Sequence, residues 1–174
     1  GAEPAFAAIH IEGIRHVSAV DIAFAEELGY RIKLLGIART STAGIELRLH
    51  PCMIRANTPL AEIDGVDNAV LVAGDAVGET LYVGPGAGAA PTGSAVVADL
   101  CDLARGFAAP TFGIPARALT TPAVAPMSAH RGAAYIRLMV EDRPGVLADV
   151  AACLRDEGIS VESMIQRQIG RAHV

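Results

Sequence analysis

The spacing of apolar residues changes several times along the chain, and each change marks an element. Between Ser18 and Gly29, Val20, Phe24 and Leu28 recur at i, i+4 and i+8, which predicts one face of a helix. Ser18-Ala-Val-Asp21 is a capping box with Asp in place of Glu, and Gly29 supplies the stop. Asp21 suits the positive end of the helix dipole, whereas Glu26 and Glu27 near the other end do not and read as a solvated face. The period then drops to two. Residues 31–40 read as a strand, and Ile45, Leu47 and Leu49 alternate with Glu46, Arg48 and His50 as a half-buried second strand. Ser41-Thr-Ala-Gly44 joins them as a hairpin. Lys33 falls on the outer face of its strand by this alternation, which argues against a catalytic lysine. From Pro51 to Gly65 the pattern is irregular, with Pro59 and Asp64-Gly65 as turn signals.

Two further strands follow at 68–73 and 79–83, with a turn over 74–78. Gly84, Gly86 and Gly88 then turn the chain into a helix predicted over 92–105, with Thr92 as N-cap. Val96, Val97, Leu100, Cys101 and Ala104 share its apolar face. Strand, glycine turn and helix N-terminus together can face an anion with backbone N–H groups, or let a flat ligand approach the main chain. The same glycines would also serve a tight turn with no ligand, and the spacing is not the G-x-G-x-x-G fingerprint.

Residues 106–132 carry Pro110, Pro115, Pro122 and Pro126 with little periodicity, and read as a connection between domains. Beyond it, residues 135–140 alternate as a strand. Asp142-Arg-Pro-Gly145 turns into a helix whose Val146, Leu147, Val150, Ala151 and Leu154 share a face, Gly158 caps it, and residues 159–168 read as another strand.

With 52% apolar content, the 174 residues can build a core as one domain or two small ones. A net charge of −5 and the absence of a basic stripe argue against nucleic acid. The apolar stretches are too short to span a membrane and the first residues do not resemble a leader, which predicts a soluble, cytoplasmic protein. Cys52, Cys101 and Cys153 form no C-x-x-C and read as reduced thiols. His50-Pro51-Cys52 is the one His/Cys pairing of note, and it falls short of the three or four ligands a zinc site needs, so no metal is expected.

GPGAG followed by PTGSAVVADL, and EGIRHVSAVDIAFAEELGYRIKLLGIA before them, closely resemble the C-terminal part of the substrate domain of bacterial homoserine dehydrogenases. EDRPGVLADVAACLRDEGISVESMIQ resembles the first half of an ACT domain, the βαββαβ amino-acid-sensing module. The resemblance implies an α+β fold: a mixed or antiparallel sheet covered by helices over 1–105, a linker over 106–132 and a partial ferredoxin-like ACT domain over 133–168. Residues 169–174 resemble a translated sequencing adapter and are set apart as a non-native tail.

The parent activity that the resemblance implies is NAD(P)-dependent interconversion of L-homoserine and L-aspartate 4-semialdehyde, in threonine, methionine and isoleucine biosynthesis. It also implies a homo-oligomer. Of the family's site positions, Gly86 and Gly88 match as cofactor-facing backbone toward NADP or NAD, where a side chain on Gly88 would enter the nicotinamide site. Asp142, Pro144, Gly145, Val146 and Leu147 match the loop that approaches an amino-acid effector, threonine in the first instance. The family's D-x-x-G-x-D-x-x-x-K motif and its Rossmann glycines do not occur in this sequence, so no catalytic residue is assigned and the chain alone is expected to be inactive. An ACT-type amino-acid-binding regulator without chemistry, or a dimerisation scaffold, are the alternatives. The ferredoxin-like order places a third strand between the first two, so 135–140 and 159–168 are expected to lack the neighbour that would pair with both.

Overall fold

The computed structural model describes residues 2–3, 6–107, 110, 112–141 and 143–167. Its scaffold is a long hairpin. Strand β2 (Tyr30–Ser41) pairs antiparallel with β3 (Gly44–Arg55) from Tyr30↔Arg55 to Ser41↔Gly44, closed by the two-residue turn read from the sequence. β3 does not stop at Pro51, as the sequence pattern suggests, but runs on to Arg55 with Pro51 opposite Leu34. A proline is tolerated there because β1 (His10–Ile11), the parallel neighbour on the far side of β3, pairs only with Arg48 and Leu49. Beyond Leu49 that side of β3 is an edge with no donor required. β1 has no period of its own and was not legible in the sequence.

Helix α1 (Ala19–Glu27) packs on β2, and a 3-10 turn at Pro59–Glu62 packs on β2 and β3. Ala25 and Ala61, one from each, are the fully buried side chains among the described residues. The loop after the 3-10 turn folds over one face of β2. Lys33 is therefore not on an open outer face. Its ammonium donates to the Ile63 carbonyl at 2.6 Å and to Asp64 Oδ1 at 2.7 Å, which makes it a loop fastener.

The next two strands, β4 (Asp67–Gly74) and β5 (Gly78–Pro85), form a separate two-stranded sheet rather than joining the first. Gly84 and Pro85 belong to β5, opposite Asn68 and Asp67, so the turn proper is Gly86-Ala87-Gly88. Helix α2 (Ala89–Ala104) starts three residues earlier than the pattern predicts, with Gly88 and not Thr92 as N-cap. Thr92 instead donates its backbone N–H to the Gly88 carbonyl at 3.1 Å.

The linker is not free of structure. Ile45 N–H donates to the Ala123 carbonyl and Ala125 N–H to the Ile45 carbonyl, both at 2.9 Å, so residues 123–125 lie along the start of β3. Past it, α3 (Val146–Asp156) forms as read, with Val146, Val150 and Leu154 half-buried and Leu147 and Ala151 exposed. The two flanking stretches correct the strand assignment: residues 135–140 and 159–167 make no ladder. An isolated strand leaves its backbone groups unpaired, and among the described residues no neighbour stands between these two. Gln168 and residues 169–174 lie outside the described residues.

Side-chain burial is sparse. The chain exposes 13706 Å², against about 8,000 Å² for a compact monomer of this mass. Val96, Val97, Leu100 and Leu103 on α2, and Val70, Val72, Tyr82 and Val83 on the second sheet, are each more than two-fifths exposed. Ladders and polar fasteners, more than a packed core, hold the described parts together.

The most buried fastener is Asp21, 6% exposed. The capping box is as read: Ser18 N–H and Oγ donate to Asp21 Oδ2 at 2.8 and 2.7 Å, and Asp21 N–H donates back to Ser18 Oγ at 3.3 Å. From far along the chain, Tyr135 OH and Arg137 Nε reach Asp21 Oδ1 at 3.0 and 2.8 Å. Burial pushes this carboxyl up, but the Ser18 and Tyr135 hydrogen bonds and the Arg137 charge outweigh it and hold it below the ordinary carboxylate value.

Because the folded value is depressed, the stabilisation is complete above the unfolded value of about 3.9 and is lost as pH falls through the folded one. Denaturation midpoints measured between pH 7 and pH 3 are expected to fall more steeply for the wild type than for Asp21→Asn, and equal slopes would remove Asp21 from the account. At the hairpin, Gly44 has φ +122° and a Cβ there would lie 2.3 Å from the Ala123 carbonyl oxygen. Gly44→Ala is expected to cost roughly 1–3 kcal/mol in urea unfolding, with loss of exchange protection at Ile45 and Ala125; retained protection would contradict the strap.

Candidate functional site

The glycine turn sits where β5 ends and α2 begins, and each glycine has its own reason. At Gly86 a Cβ would meet the Asn68 side chain, with Nδ2 1.5 Å away, and the Gly86 N–H donates to the Val66 carbonyl at 3.2 Å. At Gly88 there is room for a Cβ, with Pro91 at 3.4 Å as the nearest neighbour, but φ is +120° and ψ 151°, a conformation that suits glycine alone. Gly84 has nothing within 4 Å and an ordinary φ.

No side chain caps α2. The first-turn N–H groups of Ala89 and Ala90 have no intrahelical acceptor, and Pro91 has no N–H to offer. The geometry therefore presents backbone N–H groups, positive in potential, with glycines and alanines only over residues 86–90, which fits a flat or anionic group approaching the main chain. Internal sterics explain Gly86 and backbone angle explains Gly88, so neither glycine is diagnostic of a ligand by itself.

The second sequence-predicted site lies at the start of α3. Gly145 is its N-cap with φ +92° in the left-handed region, and its carbonyl accepts from Asp149 N–H at 2.9 Å. Arg143 pairs with Asp149 at 3.2 Å across the turn. Pro144, Gly145 and Leu147 are exposed and Val146 is half-buried, while Asp142 lies outside the described residues. Among the described residues no hydrogen bond or ion pair joins this loop to the glycine turn.

Sequence reading missed a polar cluster beside a groove of about 360 Å³ formed by β1, the start of β3 and residues 124–130. Arg48 donates to Glu46 and, at 2.9 Å, to His130 Nδ1, while Arg39 donates to Glu46 at 2.9 Å. The Arg39 hydrogen bond leads the causes that hold the Glu46 carboxyl below its ordinary value. The Arg48 side chain is 9% exposed and its Nε has no hydrogen-bond partner among the described residues. Two guanidinium groups thus share one carboxylate, and Arg48 with His130 fastens the linker; the strand alternation gave Glu46 and Arg48, but nothing local pointed to His130.

Cys52 Sγ lies 3.5 Å from His50 Nδ1, and burial pushes the thiol up against a smaller opposing effect from Arg48, so this pair makes no activated thiolate. Among the described residues no group of three or more His, Cys, Asp or Glu is placed to hold a metal, and no helix is long and apolar enough to cross a membrane.

Residues 1–101 match the family model described as homoserine dehydrogenase, and residues 134–174 match that of the ACT domain. The homoserine dehydrogenase of Neisseria gonorrhoeae is 47% identical over 94% of this chain, and that of Pseudomonas aeruginosa 44% identical over 91%. The crystal structure of a homoserine dehydrogenase from Thiobacillus denitrificans superposes with a TM-score of 0.80 at 46% identity, over 95% of this chain and 40% of that one. The chain spans 39% and 38% of the two curated relatives' lengths. By the family match over its first 101 residues, this chain belongs to the homoserine dehydrogenases and carries an ACT domain after the family segment.

Proposed function

We propose that this chain serves a homoserine dehydrogenase that interconverts L-homoserine and L-aspartate 4-semialdehyde with NADP or NAD, and that Gly86 and Gly88 are its cofactor-facing backbone. The observation that supports this most is the uncapped start of α2, reached through a turn in which two of three residues, Gly86 and Gly88, carry no side chain, within the stretch that matches the family. The reaction oxidises a primary alcohol to an aldehyde, with one hydride passed to the nicotinamide and one proton released. This chain's part is shape: a surface a planar ring can approach, and free N–H groups for nearby negative charge. The family's D-x-x-G-x-D-x-x-x-K motif does not occur in the sequence, so turnover is assigned to a polypeptide that carries that motif as well. The exposed α2 stripe and second sheet suit burial against further parts of such an enzyme or a second subunit, in a cytoplasmic homo-oligomer.

The ACT segment is proposed to sense an amino acid, threonine first, through Asp142, Pro144, Gly145, Val146 and Leu147. A left-handed Gly145 opening α3 leaves backbone N–H groups facing outward beside the Arg143–Asp149 pair, which suits a zwitterion.

Gly88→Val cannot test the cofactor assignment cleanly, because φ +120° would strain any side chain and disturb the start of α2. Gly86 has an ordinary φ, and its clash is with the tip of Asn68. In the complete enzyme, Gly86→Ala combined with Asn68→Ala is expected to raise the cofactor KM about tenfold over Asn68→Ala alone, with the homoserine KM and Tm unchanged. An unchanged cofactor KM would remove the assignment.

A further inference from the structure

Helix α1 breaks a local rule that the rest of the structure makes sense of. Its sequence ends on Glu26 and Glu27, against the dipole, with no basic residue in the last turn. Asp21, Phe24 and Glu27 follow one another at intervals of three, close to the helical repeat, and so run down one side of the helix. Residues of the ACT segment meet all three. Tyr135 and Arg137 take Asp21, and Arg167 pairs with Glu27 while its guanidinium lies 5.9 Å from the Phe24 ring centroid. Glu162 adds an exposed pair to Arg55 at the end of β3, 3.4 Å away.

The Asp21 carboxylate divides its oxygens between two tasks. Oδ2 takes both Ser18 donors and closes the capping box, and Oδ1 takes Tyr135 and Arg137. A rotation that improves one set of bonds costs the other. Among the described residues, positions 135–140 have no ladder partner, and Asp21, 6% exposed, is a buried anchor for them. Arg137 and Arg143 are six positions apart, at most about 20 Å of extended chain, so the loop at 143–147 lies within short reach of the anchor along the chain.

We propose that α1 is the docking platform of the ACT segment and that Asp21 is the positioning residue that couples occupancy of the 143–147 loop to the start of α1. The docking arm stands on geometry alone, and the effector arm rests on the ACT reading given above. Coupling through one group is reciprocal: loss of the Oδ1 donors loosens the helix start, and a loosened helix start weakens docking.

In the 174-residue chain, Tyr135→Phe combined with Arg137→Gln is expected to speed amide exchange at Asp21 and Ile22 about fivefold, the effect of a weakened cap, while β2, β3 and α3 are unchanged. Equal exchange at Asp21 and Ile22 would overturn the coupling. If the double variant unfolds, Tyr135→Phe alone gives the same comparison. In the complete enzyme, with threonine as the probe, calorimetric affinity should hold in the variant while inhibition of turnover weakens about fivefold or more; intact binding with intact inhibition would overturn the effector arm. Threonine that fails to bind the wild-type enzyme would count against the ACT reading instead, and the exchange comparison still decides the docking arm.

Discussion

The β2–β3 ladder is the constraint on which the other parts depend. It is long, regular and paired along its whole length, and it is the surface on which α1, β1, the 3-10 turn and the linker are each fixed. Removing it would leave no packed layer, because burial elsewhere is slight. That division of labour differs from a compact domain, in which apolar burial supplies most of the driving force. Here backbone hydrogen bonds set the architecture, and a few polar side chains fasten the pieces to it. Lys33 holds the 63–64 loop, Arg48 with Glu46 and His130 holds the linker, and Asp21 holds the ACT segment.

Such fasteners are directional, which suits parts that must keep their orientation while large apolar faces stay open. Each also has a polar partner supplied from a distant stretch, so each reports on the joining of segments rather than on the stability of one. Asp21 is the clearest case: the same side chain that starts a helix by a local rule is completed by donors 114 and 116 residues further on.

Local rules made most of the elements legible. Ser18 and Asp21 gave the helix start, the alternation at Ile45–Leu49 gave β3, and Thr42-Ala43 between two strands gave the hairpin. The failures have physical causes. β1 is two residues long and exists only because β3 offers it an edge. Pro51 looked like a strand end because the pattern does not reveal that β3 lacks a neighbour there. Thr92 looked like an N-cap because its type is favoured, but Gly88 reaches a backbone conformation closed to threonine, and the helix starts from it. Residues 135–140 and 159–167 have strand composition, yet composition cannot supply a partner strand. At the site, Gly86 and Gly88 were legible as a turn; that Asn68 covers one and backbone angle fixes the other was not, since the first depends on the placement of β4 and the second on how the chain enters α2.

The functional account turns on the surface that β5, Gly86, Gly88 and the uncapped start of α2 make together. A crystal structure of the complete enzyme with its oxidised cofactor bound tests this most directly. The account predicts the Cα atoms of Gly86 and Gly88 in van der Waals contact, about 4 Å, with the nicotinamide half of the cofactor. A nicotinamide ring bound well away from this turn, with the turn in contact only with protein, would contradict it.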